Sequence, residues 1–176
     1  MQLRADIQLQ TAIRALREVV APAVDGSNAL AVEQLQIVIG MLQLMAARLP
    51  LQARYDRDEL SRLLEFSTAL MAALDDDRYT DTTTTLRDTS GEGAELLARA
   101  QVDPAEVLRV IRDLRTHSGA LITAVYHDGH DAERVCITAL TLAQADAQLL
   151  RERSWVLPMG WESEPESLPA IEDLLK

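Results

Sequence analysis

The chain has few aromatic, glycine and proline residues: aromatics make up 3% of its 176 residues, beside seven glycines and six prolines. Scarce turn formers combined with abundant Ala, Leu, Gln, Arg and Glu favour long helices over short strands. Apolar residues still account for 48% of the sequence, which supplies a buried core and excludes a disordered chain. The length suits a single domain.

Cysteine occurs once, at Cys136, so no disulfide can form within the chain. The first ten residues, "MQLRADIQLQ", contain charges and no apolar stretch of the kind found in secretory signals. We therefore expect a cytoplasmic protein, where a lone thiol stays reduced. On its helical spacing, Cys136 is expected on a buried helix face.

Basic residues are outnumbered: 17 Lys and Arg stand against 28 Asp and Glu, a formal net charge of −11. Such a surface repels nucleic-acid phosphates and anionic lipids, so neither nucleic acid nor membrane is an expected partner. Motifs for phosphates, dinucleotides, serine hydrolases and zinc proteases are all missing from the sequence. We therefore expect no cofactor.

Apolar residues recur at helical spacing along most of the chain. This pattern predicts an all-α fold, a single-domain antiparallel helical bundle of about five long helices plus one or two short ones, over residues 1–154. Within it, the segment Leu30–Leu49 is apolar around most of its circumference. A helix of that kind is expected at the centre of the bundle or at a dimer interface.

Two segments do not fit the helical pattern. Residues 75–93 are polar, with four consecutive threonines, and are expected to form a mobile loop. Residues 155–176 form an irregular acidic tail with Trp155, Trp161 and a short C-terminal helix. Because two tryptophans in an irregular segment usually lie against apolar surface, the tail is expected to dock on the bundle or on a dimer mate.

The stretch "YHDGHD" contains two histidines and two aspartates that could ligate a divalent metal: His127, Asp128, His130 and Asp131. An alternative is purely structural, with Gly129 in the left-handed position that ends one helix and Asp131 capping the next. The letters "HDGH" also resemble the HD-x-GH segment of HD-domain metal phosphohydrolases, which are all-α. The stretch is one residue shorter than that segment. The resemblance also implies an upstream histidine on a separate helix, which is missing because no histidine precedes His117.

A carboxylate, Asp146, falls in the middle of an apolar stripe formed by Ala132, Val135, Ala139, Ala143 and Leu150. A buried carboxylate must be paired, hydrogen-bonded or protonated. The structural alternative is an ion pair with Arg112 or Arg109. The functional alternative is a ligand pocket containing Asp146, Arg112 and His117.

Three classes of function remain open from the sequence. The first is a non-catalytic helical interaction or accessory protein that self-associates, with a dimer as the expected state and a further protein partner as an option. The second is a bundle that binds a small apolar ligand with Asp146 as polar anchor. The third is a metal-dependent hydrolase that uses the cluster of His127, Asp128, His130 and Asp131.

Overall fold

The fold is all-α in the computed structural model, which describes residues 4–74 and 77–175 and contains no strand within them. The all-α prediction is therefore confirmed. Six described helices have eleven residues or more: α1 (Ala5–Ala15), α2 (Ala29–Arg48), α3 (Gln52–Ala72), α4 (Thr80–Ala98), α5 (Pro104–Asp128) and α6 (Asp131–Val156). A π turn (Leu16–Val20) and the three-residue helix Ala21–Ala23 continue α1, and the short α7 (Ile171–Leu174) lies near the C-terminus.

Side chains cap the first turns of two of these helices. The Asn28 carboxamide oxygen accepts the N–H of Ala31 at 3.1 Å at the start of α2. The Asp103 carboxylate accepts the N–H of Ala105 at 2.9 Å at the start of α5, with Pro104 in the first turn. Asp56 and Glu59 have the spacing of a capping box, but α3 already begins at Gln52, so neither residue lies at a helix start.

The chain divides into two compact units. The first contains Met1–Gln52 and Glu152–Glu172, and the second contains Ala53–Arg151 and Asp173–Lys176. The first unit thus contains α1 and α2, and the second is built on α3, α4, α5 and most of α6.

The first unit has a small core. Along α1 and α2, only Ile13 and Ile39 are buried. The tail packs here: the Met159 methyl lies 3.3 Å from the position of a Cβ at Gly40. Arg48 stacks over the Trp155 ring, 5.6 Å from its centroid, and donates to the Trp155 carbonyl oxygen.

The prediction that Leu30–Leu49 forms the buried centre of the bundle is wrong. Helix α2 has α1 and the turn Leu157–Met159 as neighbours in its unit, and these cover only part of its circumference. Seven large apolar side chains of this segment are exposed: Leu30, Val32, Ile37, Val38, Met41, Met45 and Leu49. By length and composition alone, the helical stretch Ala29–Ala72 could cross a membrane, and 6% of its most apolar window is buried.

The second unit contains the main hydrophobic core, to which α3, α4, α5 and α6 all contribute. Side chains that are fully buried in this core are Leu60, Leu70, Leu86, Val110, Leu114, Leu121, Val125 and Ile137. Polar contacts also connect these helices. The buried Ser67 and Ser118 hydroxyls lie 3.4 Å apart between α3 and α5.

The predicted mobile loop over 75–93 is wrong for residues 77–93, which form a 3₁₀ turn (Asp77–Tyr79) and most of α4; Asp75 and Asp76 lie outside the described residues. Threonine hydroxyls along α4 donate to backbone carbonyls one turn earlier, which satisfies them inside a helix. The buried stripe of α4 consists of Leu86, Thr89, Gly93 and Leu96. Gly93 permits close packing, because a Cβ there would lie 3.0 Å from Leu64.

Candidate interaction surface

The four proposed metal ligands do not converge in the structure. His127, Asp128, His130 and Asp131 are all exposed, and the His127 Nδ1 lies 2.6 Å from the Asp128 carboxylate. Asp131 pairs instead with Arg134 at 3.3 Å. Within the described parts of the chain, no three His, Cys, Asp or Glu side chains form a group able to hold a metal ion. The geometry therefore gives the hydrolase hypothesis no support.

The same stretch is a tight turn between α5 and α6. The Gly129 N–H donates to the Val125 carbonyl at 2.8 Å, and its φ of −79° is extended rather than left-handed, which corrects the predicted conformation. Glycine is needed here for space, since a Cβ would clash with the Val125 carbonyl oxygen and would lie 3.0 Å from the Tyr79 hydroxyl. Close approach of the backbone, not a positive φ, explains this glycine.

We expect Gly129→Ala to lower the free energy of unfolding by about 1–3 kcal/mol, because the new methyl group would force the turn apart. Gly119→Ala is the matched control: Gly119 lies within α5 and a Cβ there meets nothing within 4 Å. That control should be neutral or stabilising by up to ~1 kcal/mol. Urea denaturation followed by circular dichroism measures both, and equal effects would contradict the account of the turn.

Glu133 organises the start of α6. Its carboxylate accepts the His130 N–H at 2.7 Å, and it also contacts Arg78 at 3.1 Å and the Tyr79 hydroxyl at 3.3 Å. The backbone hydrogen bond from His130, aided by the Arg78 charge and the Tyr79 hydroxyl, holds the pKa of Glu133 below its usual range. Glu133, which accepts the backbone N–H of His130, therefore completes the cap at the start of α6, in place of the predicted cap residue Asp131.

A lowered carboxyl pKa in the folded state stabilises the fold above the ordinary glutamate pKa, and that stability is lost as the pH falls through the folded pKa. We therefore expect Glu133→Gln to reduce the free energy of unfolding at neutral pH and to differ little from the native chain in strong acid. Glu95→Gln is the control, because Glu95 forms only an exposed 3.9 Å pair with Arg99. Urea denaturation of both variants at neutral pH and in strong acid measures these free energies of unfolding. A loss of stability in Glu133→Gln that is the same at both pH values would contradict the account.

The predicted ligand-pocket residues are not gathered around a buried Asp146. Asp146 and Arg112 are both exposed, and the Arg112 Nε donates to the Leu108 carbonyl oxygen on its own helix. His117 is half-buried, with its Nδ1 2.9 Å from the Thr89 hydroxyl. Arg109, the other suggested partner of Asp146, pairs with Glu92 and Asp113. The expected burial of Asp146 is wrong, and the pocket hypothesis loses its basis at these residues.

Helix α6 packs into the second unit through a largely polar side. Ile137 and Arg151 are buried, and the half-buried positions between them include Thr141, Gln144 and Gln148. Arg151 is 1% exposed, and its Nε lies 3.3 Å from the Asp58 carboxylate. Its guanidinium also lies 4.6 Å from the centroid of the Tyr55 ring.

The opposite side of α6, here called the outer face, is apolar and exposed. Its nine members are Ala132, Val135, Cys136, Ala139, Leu142, Ala143, Asp146, Leu149 and Leu150, all of which are exposed. Val135, Leu142 and Leu149 expose 69%, 60% and 55% of their surface. The expected burial of Cys136 is corrected by the same observation.

The outer face has the spacing of a helix that packs against another helix. Val135, Leu142 and Leu149 follow one another at intervals of seven residues, and so do Ala132, Ala139 and Asp146. These are the d and a positions of a heptad repeat, and Cys136, Ala143 and Leu150 occupy the adjoining e positions. A stripe of a, d and e positions is the pattern of a core-facing helix side, yet here it lies on the surface.

A separate cleft of about 410 Å³ lies in the second unit between the start of α3 and the segment before α5. Apolar side chains form most of its wall, and the Asp56 carboxylate adds one buried charge. Arg57, also in the lining, donates to the Leu97 carbonyl oxygen at 2.7 Å. The volume falls in the range of small-molecule sites.

Comparison with known proteins does not add to this picture: no protein-family model matches the chain, and no curated protein or solved structure is significantly similar to it.

Proposed function

We propose that this chain is a non-catalytic helical interaction protein that self-associates as a dimer through the outer face of α6. The observation that carries the proposal is the inverted polarity of α6. Its buried side contains an arginine, a threonine and two glutamines beside the apolar Ile137 and Leu140, whereas eight of its nine exposed outer positions are apolar. Exposed apolar surface of this extent and regularity marks an interaction site.

The energetics favour covering this face. Complete burial of a leucine or valine side chain stabilises a protein by about 1.5–3 kcal/mol. Val135, Leu142 and Leu149 are more than half exposed, so covering each of them would still contribute roughly half of that free energy or more. The small side chains Ala132, Ala139 and Ala143 between them allow a second helix to approach closely. A partner helix would therefore remove a continuous apolar stripe from water.

A second copy of the chain is the simplest occupant, because identical surfaces can pair about a two-fold axis and close into a dimer. The net charge of −11 keeps such a protein soluble without blocking an apolar contact. The outer face itself contains a single charged residue, Asp146, so its pairing adds little charge repulsion.

Sedimentation equilibrium of the native chain across the micromolar concentration range tests the proposal. We expect the average mass to rise from 19.5 kDa toward twice that value as concentration increases. A mass that stays at the monomer value up to hundreds of micromolar would overturn self-association. A mass that keeps rising beyond the dimer would contradict a closed two-fold pair.

A further inference from the structure

We infer that the two α6 helices of the dimer run antiparallel, with Ala139 of each copy packed against Leu142 of the other. This inference rests on the proposed function, that is, on self-association through the outer face of α6. It is carried by a separate observation, the position of the single carboxylate within the heptad pattern of that face.

A parallel pair in register places each a position opposite the same a position of its partner. Asp146 would then face Asp146 of the partner subunit across a seam whose neighbouring positions are Leu142 and Leu149. Two carboxylates brought together away from water repel each other, which weakens that pairing. The parallel arrangement is therefore disfavoured by the one charged residue on the outer face.

An antiparallel pair instead places a positions opposite d positions. One register pairs Ala132 with Leu149 of the partner subunit and Ala139 with Leu142 of the partner subunit, each contact occurring twice by symmetry. Every one of these layers combines a small with a large side chain, which lets the helices approach closely and interdigitate. The two-fold axis then crosses α6 between Ala139 and Leu142.

Asp146 is tolerated in this register. Each Asp146 lies beside Val135 of the partner subunit, and the two carboxylates are roughly 16 Å apart along the helix axis, given a rise of about 1.5 Å per residue.

Other antiparallel registers fit the outer face less well. A shift of one heptad in one direction brings Asp146 against the partner's Leu142, in the two central layers. The opposite shift leaves Leu149 beyond the end of the seam, still exposed. A single polar residue at an a position is a known means of fixing register, and Asp146 has that role in this arrangement.

Cysteine cross-linking tests the direction of the helices. Two variants are made in a Cys136→Ser background: Ala139→Cys, next to the two-fold axis, and Ala132→Cys, at the same heptad position one repeat earlier. In the antiparallel register the two thiols of the Ala139→Cys dimer lie about 5 Å apart along the axis, and the two thiols of the Ala132→Cys dimer about 25 Å apart. Both variants are treated with a bis-maleimide shorter than the larger distance, and their mass in solution is measured by sedimentation.

The expected result is efficient covalent dimer formation for Ala139→Cys and at most a few per cent as much for Ala132→Cys. Equal cross-linking of both variants indicates parallel helices and overturns the inference while self-association stands. Cross-linking of neither variant, in samples that sediment as dimers, shows that the dimer forms elsewhere and also overturns it. If the native chain and both variants all sediment as monomers, the proposed self-association itself has failed.

Discussion

Replacing Asp58 with alanine is expected to remove about 3–5 kcal/mol from the free energy of unfolding. The Asp58 side chain is fully buried in α3, and it neutralises Arg151, the buried arginine on the inner side of α6. Without Asp58, the Arg151 guanidinium retains the Gln148 side-chain oxygen at 3.3 Å but loses its carboxylate. An uncompensated buried charge is among the largest single penalties in a domain whose total stability is on the order of 5–15 kcal/mol.

The converse change, Arg151→Met, should cost less than Asp58→Ala. Asp58 would keep a second cation, because the Arg62 Nε donates to the same carboxylate oxygen at 2.7 Å. The double variant Asp58→Leu with Arg151→Met should recover much of the loss, since an apolar pair can replace a buried ion pair. Urea denaturation of all three variants decides the matter, and equal losses in the two single variants would contradict this account of the pair.

Replacing Leu142 with glutamate is expected to weaken self-association by ~100-fold or more, because the charge enters the centre of the apolar face in both copies. Leu142 is 60% exposed in the single chain, so the folded monomer should lose little stability. Sedimentation at a concentration where the native chain is dimeric would then give the monomer mass.

Leu108→Glu is the matched control for this change. Leu108 is an exposed leucine on α5, 42% accessible, and it lies outside the outer face of α6. The Leu108→Glu variant introduces the same charge into the same kind of surface, and the dimer of that variant should remain intact. If both variants dissociate alike, added charge rather than the α6 contact is responsible, and if neither dissociates, the contact lies elsewhere.

The helical class and two of the helix starts can be predicted from the sequence because they depend on local spacing. The signals Asn28, Asp103 and Pro104 mark helix starts without reference to the rest of the fold. The stripe on α6 is also visible in the sequence. Whether this stripe faces the core or the solvent is not visible there, because periodicity shows which side chains share a face and does not show what covers that face.

Tertiary packing overrode the hydrophobic pattern at two helices. In α6 the buried Arg151 pairs with Asp58 on α3, a long-range contact that no local count of apolar residues can indicate. In α4 the buried stripe includes Thr89 and Gly93, residues that a hydrophobicity pattern does not recognise as core. The intervals of three, four and three residues between Leu86, Thr89, Gly93 and Leu96 are helical, and this spacing is the signal in the sequence that indicates a helix.

The cause of the polarity inversion also links the two large predictions. The buried Arg151 lies on the side of α6 that packs into the second unit, opposite the exposed outer face. Asp58→Leu with Arg151→Met is therefore expected to keep the fold while weakening the rotational preference of α6. Loss of dimer in that double variant would show that the ion pair maintains the contact surface.

The most direct test of the central claim is an isotope-filtered methyl NOE experiment on a mixture of labelled and unlabelled chains, which detects only contacts between copies. We predict intermolecular NOEs between the Leu142 methyl groups of one chain and the Ala139 methyl group of the other. Intermolecular NOEs from Leu142 to Leu142 without any to Ala139 would contradict the antiparallel register. The absence of any intermolecular NOE from the outer face of α6, in a sample at dimer-forming concentration, would contradict the claim that this face is an interface.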